Sequence, residues 1–167
     1  MADGETPDID ERPDPRPAHG RPFVPEGFTP PTPPRTTSLW LEPLGVQHND
    51  ADYAAWSSSI EHIRATPGYE GSSWPHPMSR EENAGDLAMH ADHFDRRLGF
   101  TYTVRITADD DVIGCVYIYP SKDPLVDADV RSWVRATRAE LDVDLWRVVS
   151  GWLAAEWPFG TVEYAAR

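Results

Sequence analysis

The sequence predicts an α+β domain, a central and mostly antiparallel sheet flanked by helices in the order β-α-α-β-β-β-α-β, behind a proline-rich arm. Three observations predict it. Ten of the seventeen prolines precede Arg35, which marks where an arm ends and a domain begins. Between residues 100 and 135, three segments of alternating polarity follow one another at short intervals, as in an antiparallel meander. On both sides of that meander apolar residues recur at helical spacing.

Residues 1–35 combine few apolar side chains with prolines, which lack the N–H that helices and ladders need, so they are expected to form a disordered, solvated, partly polyproline-like arm. The domain then spans 36–167. Residues 36–44 form a strand that stops at Pro43, with Leu39 and Leu41 on one face. Asn49 or Asp50 caps a helix carrying Tyr53, Trp56, Ile60 and Ile63, which Pro67 and Gly68 end. Residues 67–78 are a long loop rich in Gly, Pro and aromatics, of the kind that shapes clefts. Ser79 and Glu82 have the spacing of a capping box and open a second helix to about Leu98, closed by Gly99, with Ala84, Leu87, Ala91, Phe94 and Leu98 as its stripe.

The meander follows. Residues 100–107 and 112–119 are strands joined by an acidic hairpin at Asp109, Asp110 and Asp111, and 128–135 is the third strand. A last helix starts near Asp142 and presents Leu145, Val148, Val149, Trp152 and Leu153 to the core before Trp157 and Pro158 end it. Residues 161–164 are a short final strand.

Composition excludes several function classes. The formal charge of −13 repels phosphate backbones, so no nucleic-acid partner is expected. No window approaches the ~20 apolar residues of a membrane span, and the acidic, proline-rich start does not have the basic and apolar pattern of a signal peptide; no membrane association and a cytoplasmic location are expected. The single cysteine, Cys115, permits no internal disulfide and lies beside Ile113 and Val116, which disfavour a thiolate, so it is read as a small buried hydrophobe.

The order of elements, together with the 112–119 strand after an acidic hairpin, resembles the GNAT acetyltransferase superfamily from about residue 36 onward. The stretches 41–44, 56–64, 74–83 and 140–146 resemble a short bacterial GNAT-like subgroup of undefined substrate. The resemblance implies an acyl-CoA N-acyltransferase fold, acetyl-CoA as cofactor and a small-molecule amine as acceptor. It places the cofactor where strand 128–135 splays from strand 161–164, and its pyrophosphate against the run from Arg138 to Val143. The binding residues so implied are Trp133, Val134, Arg135, Arg138 and Val143. That run keeps the arginine but sets Leu141 and Val143 where the family has small residues, and Glu140, Asp142 and Asp144 bring carboxylates to the place of a diphosphate. Those signs carry the alternative, a catalytically inactive GNAT-fold binding protein for a small molecule or a protein partner. The family usually continues with a further helix and two strands beyond the point matching Arg167.

Other residues carry weaker signals. His90 and His93 stand three apart, a metal-ligand spacing, but the stripe puts His93 on the solvated face and His90 at its margin, so no metal site is expected. Tyr69, Trp74 and His76 form either an aromatic wall over a pocket, with His76 as a base, or a packed lid. Arg131, Trp133 and Arg135 share one face of their strand and, with Arg138, either receive an anionic tail or pair with surface carboxylates. Acetyl transfer needs a base such as Asp129 or Glu163 and a donor such as Tyr117, Tyr119 or Tyr164; spacing singles out none, and the catalytic residues stay unknown. A short strand at the sheet edge makes a homodimer possible.

Overall fold

A computed structural model describes residues 13–167 of the chain. Residues 1–12, the start of the expected arm, lie outside the described residues. The five strands β1 (Leu39–Pro43), β2 (Phe100–Ile106), β3 (Val112–Pro120), β4 (Ala128–Val134) and β5 (Val162–Tyr164) form one sheet in sequence order. The first four pair antiparallel, and β4 pairs parallel to β5. The fold is thus the α+β architecture the sequence predicts.

Strand alternation sorts the core into two layers. Val116 and Ile118 of β3 and Val130 and Val134 of β4 face α4 (Asp142–Glu156), whose Leu145, Val149, Trp152 and Leu153 cover them. On the opposite face Cys115 and Trp133 pack under α1 (Asn49–Ser57), α2 (Ile60–Arg64), α3 (Arg80–Asp95) and the 67–78 loop. Ile113 escapes the alternation because the register between β2 and β3 shifts at Val104 and Arg105, a bulge that leaves one residue unopposed.

The expected first helix is two. α1 stops at Ser57, where the Ser58 hydroxyl takes the Ala54 carbonyl, and α2 begins after Ser59. Helix α1 starts without the predicted Asn49 or Asp50 side-chain cap. The Ser79 box closes as expected, with the Ser79 hydroxyl accepting from the Glu82 amide and Glu82 from the Ser79 amide, both at 3.0 Å. Helix α3 ends at Asp95, and the left-handed residue that turns the chain out is Arg97, at φ 61°, in place of Gly99.

Residues 13–35 carry no helix, yet from Phe23 they lie against the body. Phe23 and Val24 are buried in the α4 layer, Phe23 stacking 4.9 Å from Phe159. Arg97 donates to the Pro25 and Phe28 carbonyls and so ties down a stretch whose prolines supply acceptors without donors. The composition that suggests a solvated arm contains, in Phe23, Val24 and Phe28, enough apolar surface to dock.

Candidate functional site

The elements on the second face line a half-open cavity of about 870 Å³. Its floor is Tyr117 and Tyr119 from β3 with Asp129 and Arg131 from β4; its walls are Asp52, Asn83, Leu87 and His90 from the helices; Tyr69, Trp74, His76 and Met78 of the 67–78 loop cover it. The volume is within the range of small-molecule sites. The loop residues therefore serve both readings given above: Trp74 packs 6.0 Å from Trp56 and from Trp133, and the same ring forms a cavity wall.

Asp52 is the chemical centre of this cavity. It projects from α1 one turn before Trp56, is 4% exposed, and accepts a hydrogen bond from Asn83 at 3.0 Å. The Cys115 thiol lies 4.0 Å from its other oxygen. Burial raises its pKa to about 6, and the charge of Asp86 pushes the same way against the Asn83 hydrogen bond. Burial also drives the Cys115 thiol and the Tyr69 and Tyr117 hydroxyls well above their ordinary values, so none of them supplies an anion at neutral pH. The Tyr69 hydroxyl is buried with no hydrogen-bond partner.

His90 and His93 correct the sequence reading. Both are buried, and the Nδ1 of each lies 2.8 Å from the Tyr119 hydroxyl. A hydroxyl has one proton, so Tyr119 donates to at most one of the two imidazoles, and at least one of them donates to it. Burial lowers the His90 pKa to about 3, with the neighbouring His93 adding to the effect, and lowers that of His93. The face of α3 that turns inward carries Asn83, Leu87 and His90 in preference to the alanine stripe, because β2 and β3 present the Thr101 and Tyr119 hydroxyls there. Among the described residues, no group of three or more His, Cys, Asp and Glu is placed to hold a metal.

The other residues named from sequence disperse. Trp133 is fully buried on the cavity side, its indole N–H donating to the Tyr117 hydroxyl at 3.1 Å, so it does not stand beside two open guanidiniums. Val134 is buried on the α4 side. Arg131 lies 3.4 Å from Asp129. Arg135, Arg138 and Val143 lie along the connection from β4 to α4: the Arg135 Nε is buried without a partner, Arg138 is 3.9 Å from Glu140, and Val143 is exposed. Asp52, Asn83 and Arg167 were not singled out from sequence; for Asp52 the signal was a carboxylate on the stripe of Trp56 and Ile63.

The gap between β4 and β5 is built differently from a ligand groove. The ladder pairs Ala128, Asp129 and Val130 with Val162, Glu163 and Tyr164 and goes no further. Beyond it the Arg167 guanidinium donates to the Ser132 carbonyl at 2.8 Å and to Asp142 Oδ2 at 2.7 Å, and the Tyr164 and Ser132 hydroxyls meet at 2.6 Å. In the 3-10 segment Ala136–Leu141, which precedes α4, the Ala136 amide donates to the Ser59 hydroxyl and the Arg138 amide to the Arg135 carbonyl.

Comparison of the coordinates with solved structures then decides the architecture. A protein from Vibrio cholerae assigned as a ribosomal-protein-serine acetyltransferase superposes with a TM-score of 0.63 at 12% identity, over 82% of this chain and 75% of that one. The ribosomal-protein-S5-alanine acetyltransferase of Vibrio fischeri gives 0.56 at 12% identity, over 74% and 67%. A nucleotide-linked sugar GNAT, FdhC, gives 0.53 at 11% identity, over 80% and 70%. The fold is that of the GNAT acetyltransferases. No family model and no curated protein matches the sequence. In the GNAT frame the β4–β5 gap is where the sequence resemblance implies acetyl-CoA. The residues there do not fit its diphosphate: Glu140, Asp142 and Asp144 gather at the helix start, two nearby amides are engaged, and Arg167 fills the gap. Among the described residues no helix is long and apolar enough to cross a membrane.

Proposed function

We propose that this protein is a small-molecule-binding member of the GNAT fold whose cavity receives a small amine in its protonated form. The observation that carries the reading is Asp52, a carboxylate almost wholly buried at the wall of an aromatic cavity, with one conventional hydrogen bond on one oxygen and a distant thiol by the other. A buried carboxylate is costly unless a cation pairs with it, and an ammonium supplies both the charge and the N–H donor. Trp74, Tyr69 and Tyr117 offer ring faces and apolar area to the body of such a ligand. Five carboxylates, Asp14, Asp52, Glu82, Asp86 and Asp129, line the cavity against Lys122 and Arg131, which pair with Asp14 and Asp129, and the excess of acids favours cations.

The matched pair 2-phenylethylamine and 2-phenylethanol, differing chiefly in charge, tests the reading by calorimetric titration at pH 7.5. Saturable binding of the amine and none of the alcohol is expected, with Asp52→Asn weakening the amine ~10–100-fold, the scale of a hydrogen bond to a charged group. Equal behaviour of amine and alcohol, or an Asp52→Asn variant that binds as well as the parent chain, sinks the reading.

Acetyl transfer from acetyl-CoA to the same amine is a second reading, supported by the place where the β4–β5 ladder stops at Val130 and Tyr164 while β4 itself runs on to Val134. It requires the Arg167 contacts to open, and no catalytic residue is assigned for it.

A further inference from the structure

The polar groups of the cavity are spread along its length. Asp52 is held by Asn83 of α3, which donates to it at 3.0 Å. His90 lies on the same face of α3 two turns further on, with Leu87 between, and all three residues line the cavity. At about 1.5 Å of rise per residue, those two turns set His90 roughly 10 Å from Asn83 along the helix. The floor gives a concordant measure. The Cys115 thiol is 4.0 Å from Asp52, whereas the His90 ring packs 5.4 Å from that of Tyr117 and its Nδ1 is 2.8 Å from the Tyr119 hydroxyl. Cys115, Tyr117 and Tyr119 are alternate residues of β3 and follow one another on one face at about 7 Å per step.

His90 has a nitrogen to spare. Its Nδ1 is engaged by the hydroxyls of Tyr119 at 2.8 Å and Thr101 at 3.2 Å, whereas its Nε2 has no hydrogen-bond partner among the described residues, although the residue is only 8% exposed. Burial holds the ring neutral. Nε2 donates or accepts according to the tautomer, and a hydroxyl, which can do both, answers either one. A second ammonium would find no anion in His90, and a carboxylate would meet the acidic lining. Allowing a hydrogen bond of about 3 Å at one or both ends leaves roughly 5–8 Å between a ligand's nitrogen at Asp52 and its hydroxyl at His90. The Tyr117 ring, midway along the floor, and the Trp74 ring 6.4 Å from it give the intervening part aromatic surroundings. We propose that the ligand is a hydroxylated aromatic amine, with its ammonium on Asp52 and its distal hydroxyl on His90 Nε2. The proposal rests on the amine reading and adds the group that selects among amines.

Calorimetric titration of tyramine, the para-hydroxyl analogue of 2-phenylethylamine, beside 2-phenylethylamine itself tests it in the full chain and in His90→Phe, with circular dichroism reporting the fold. In the parent chain tyramine is expected to bind about five- to tenfold more tightly, the scale of one neutral hydrogen bond. In His90→Phe the two ligands are expected to bind within about twofold of each other, because the contact that separates them is gone. Binding of 2-phenylethylamine with no gain for tyramine overturns the proposal and leaves the amine reading standing, whereas failure of both ligands to bind ends the two together. A tyramine advantage that persists in His90→Phe also overturns it, since another group then reads the hydroxyl. Should that variant not fold, nitrogen NMR of histidine-labelled parent protein decides: the His90 Nε2 resonance is expected to shift with tyramine and to stay in place with 2-phenylethylamine, and an equal response to both overturns the proposal.

Discussion

A carboxylate four residues before Trp56 falls on the same stripe of α1 as the indole, and its burial follows from that spacing once the stripe faces the sheet. What the sequence does not reveal is the partner, since Asn83 reaches Asp52 only through the packing of α1 on α3, thirty-one residues away. The raised pKa has a consequence for stability with a definite sign. The unfolded chain ionises Asp52 near 3.8 and the folded chain near 6. The folded state is therefore favoured by this group below 3.8, and that contribution is lost as pH rises through about 6, a difference of about 2–3 kcal/mol at neutral pH. Asn at this position keeps an oxygen for Asn83 and carries no charge. Asp52→Asn is expected to raise the urea unfolding free energy at pH 7.5 by ~2 kcal/mol and to leave it nearly unchanged at pH 4. A variant no more stable than the parent at pH 7.5 contradicts the assignment of burial as the dominant cause. His90 and His93 show the limit of stripe counting: their burial depends on two hydroxyls that β2 and β3 present, and no periodicity within α3 encodes those.

At the scale of elements, the legible features are those fixed by neighbours in the chain. The Ser79 box, the hairpin before β3 and the α4 stripe all appear where the sequence places them. The break between α1 and α2 was not legible, because the Ser59 hydroxyl at that break serves the Ala136 amide, a contact with a residue far along the chain. Gly114 is informative in another way. A Cβ there would collide with the Trp133 backbone carbonyl, where β3 and β4 approach closely beside the β2–β3 bulge. Backbone on both sides leaves little room to yield. Gly114→Ala is expected to destabilise the fold by roughly 1–3 kcal/mol, the usual range for overpacking, read as a lower urea midpoint at unchanged slope. A midpoint within error of the parent would show that the two strands move apart freely.

Across the whole molecule the topology was readable and the state of the site was not. Element order and the meander suffice for a GNAT sheet, but whether the β4–β5 gap is open depends on Arg167, which meets Asp142 and Ser132 only when the end of the sheet folds onto α4. The proline-rich segment likewise docks through Phe23 and Phe159, residues at nearly opposite ends of the chain. The formal charge of −13 argues against polyanionic partners, and in the amine reading the preference for a cation rests on one buried side chain, Asp52. The pH dependence of amine affinity tests this most directly. An alkylamine stays protonated from pH 7.5 to 5, so any change reports the protein, and with an Asp52 pKa of about 6 the ionised fraction falls roughly tenfold at pH 5. Calorimetric titration of 2-phenylethylamine is expected to show about a tenfold weaker Kd at pH 5 than at pH 7.5 in the parent chain; an affinity that does not change between the two would contradict Asp52 as the group that holds the ligand.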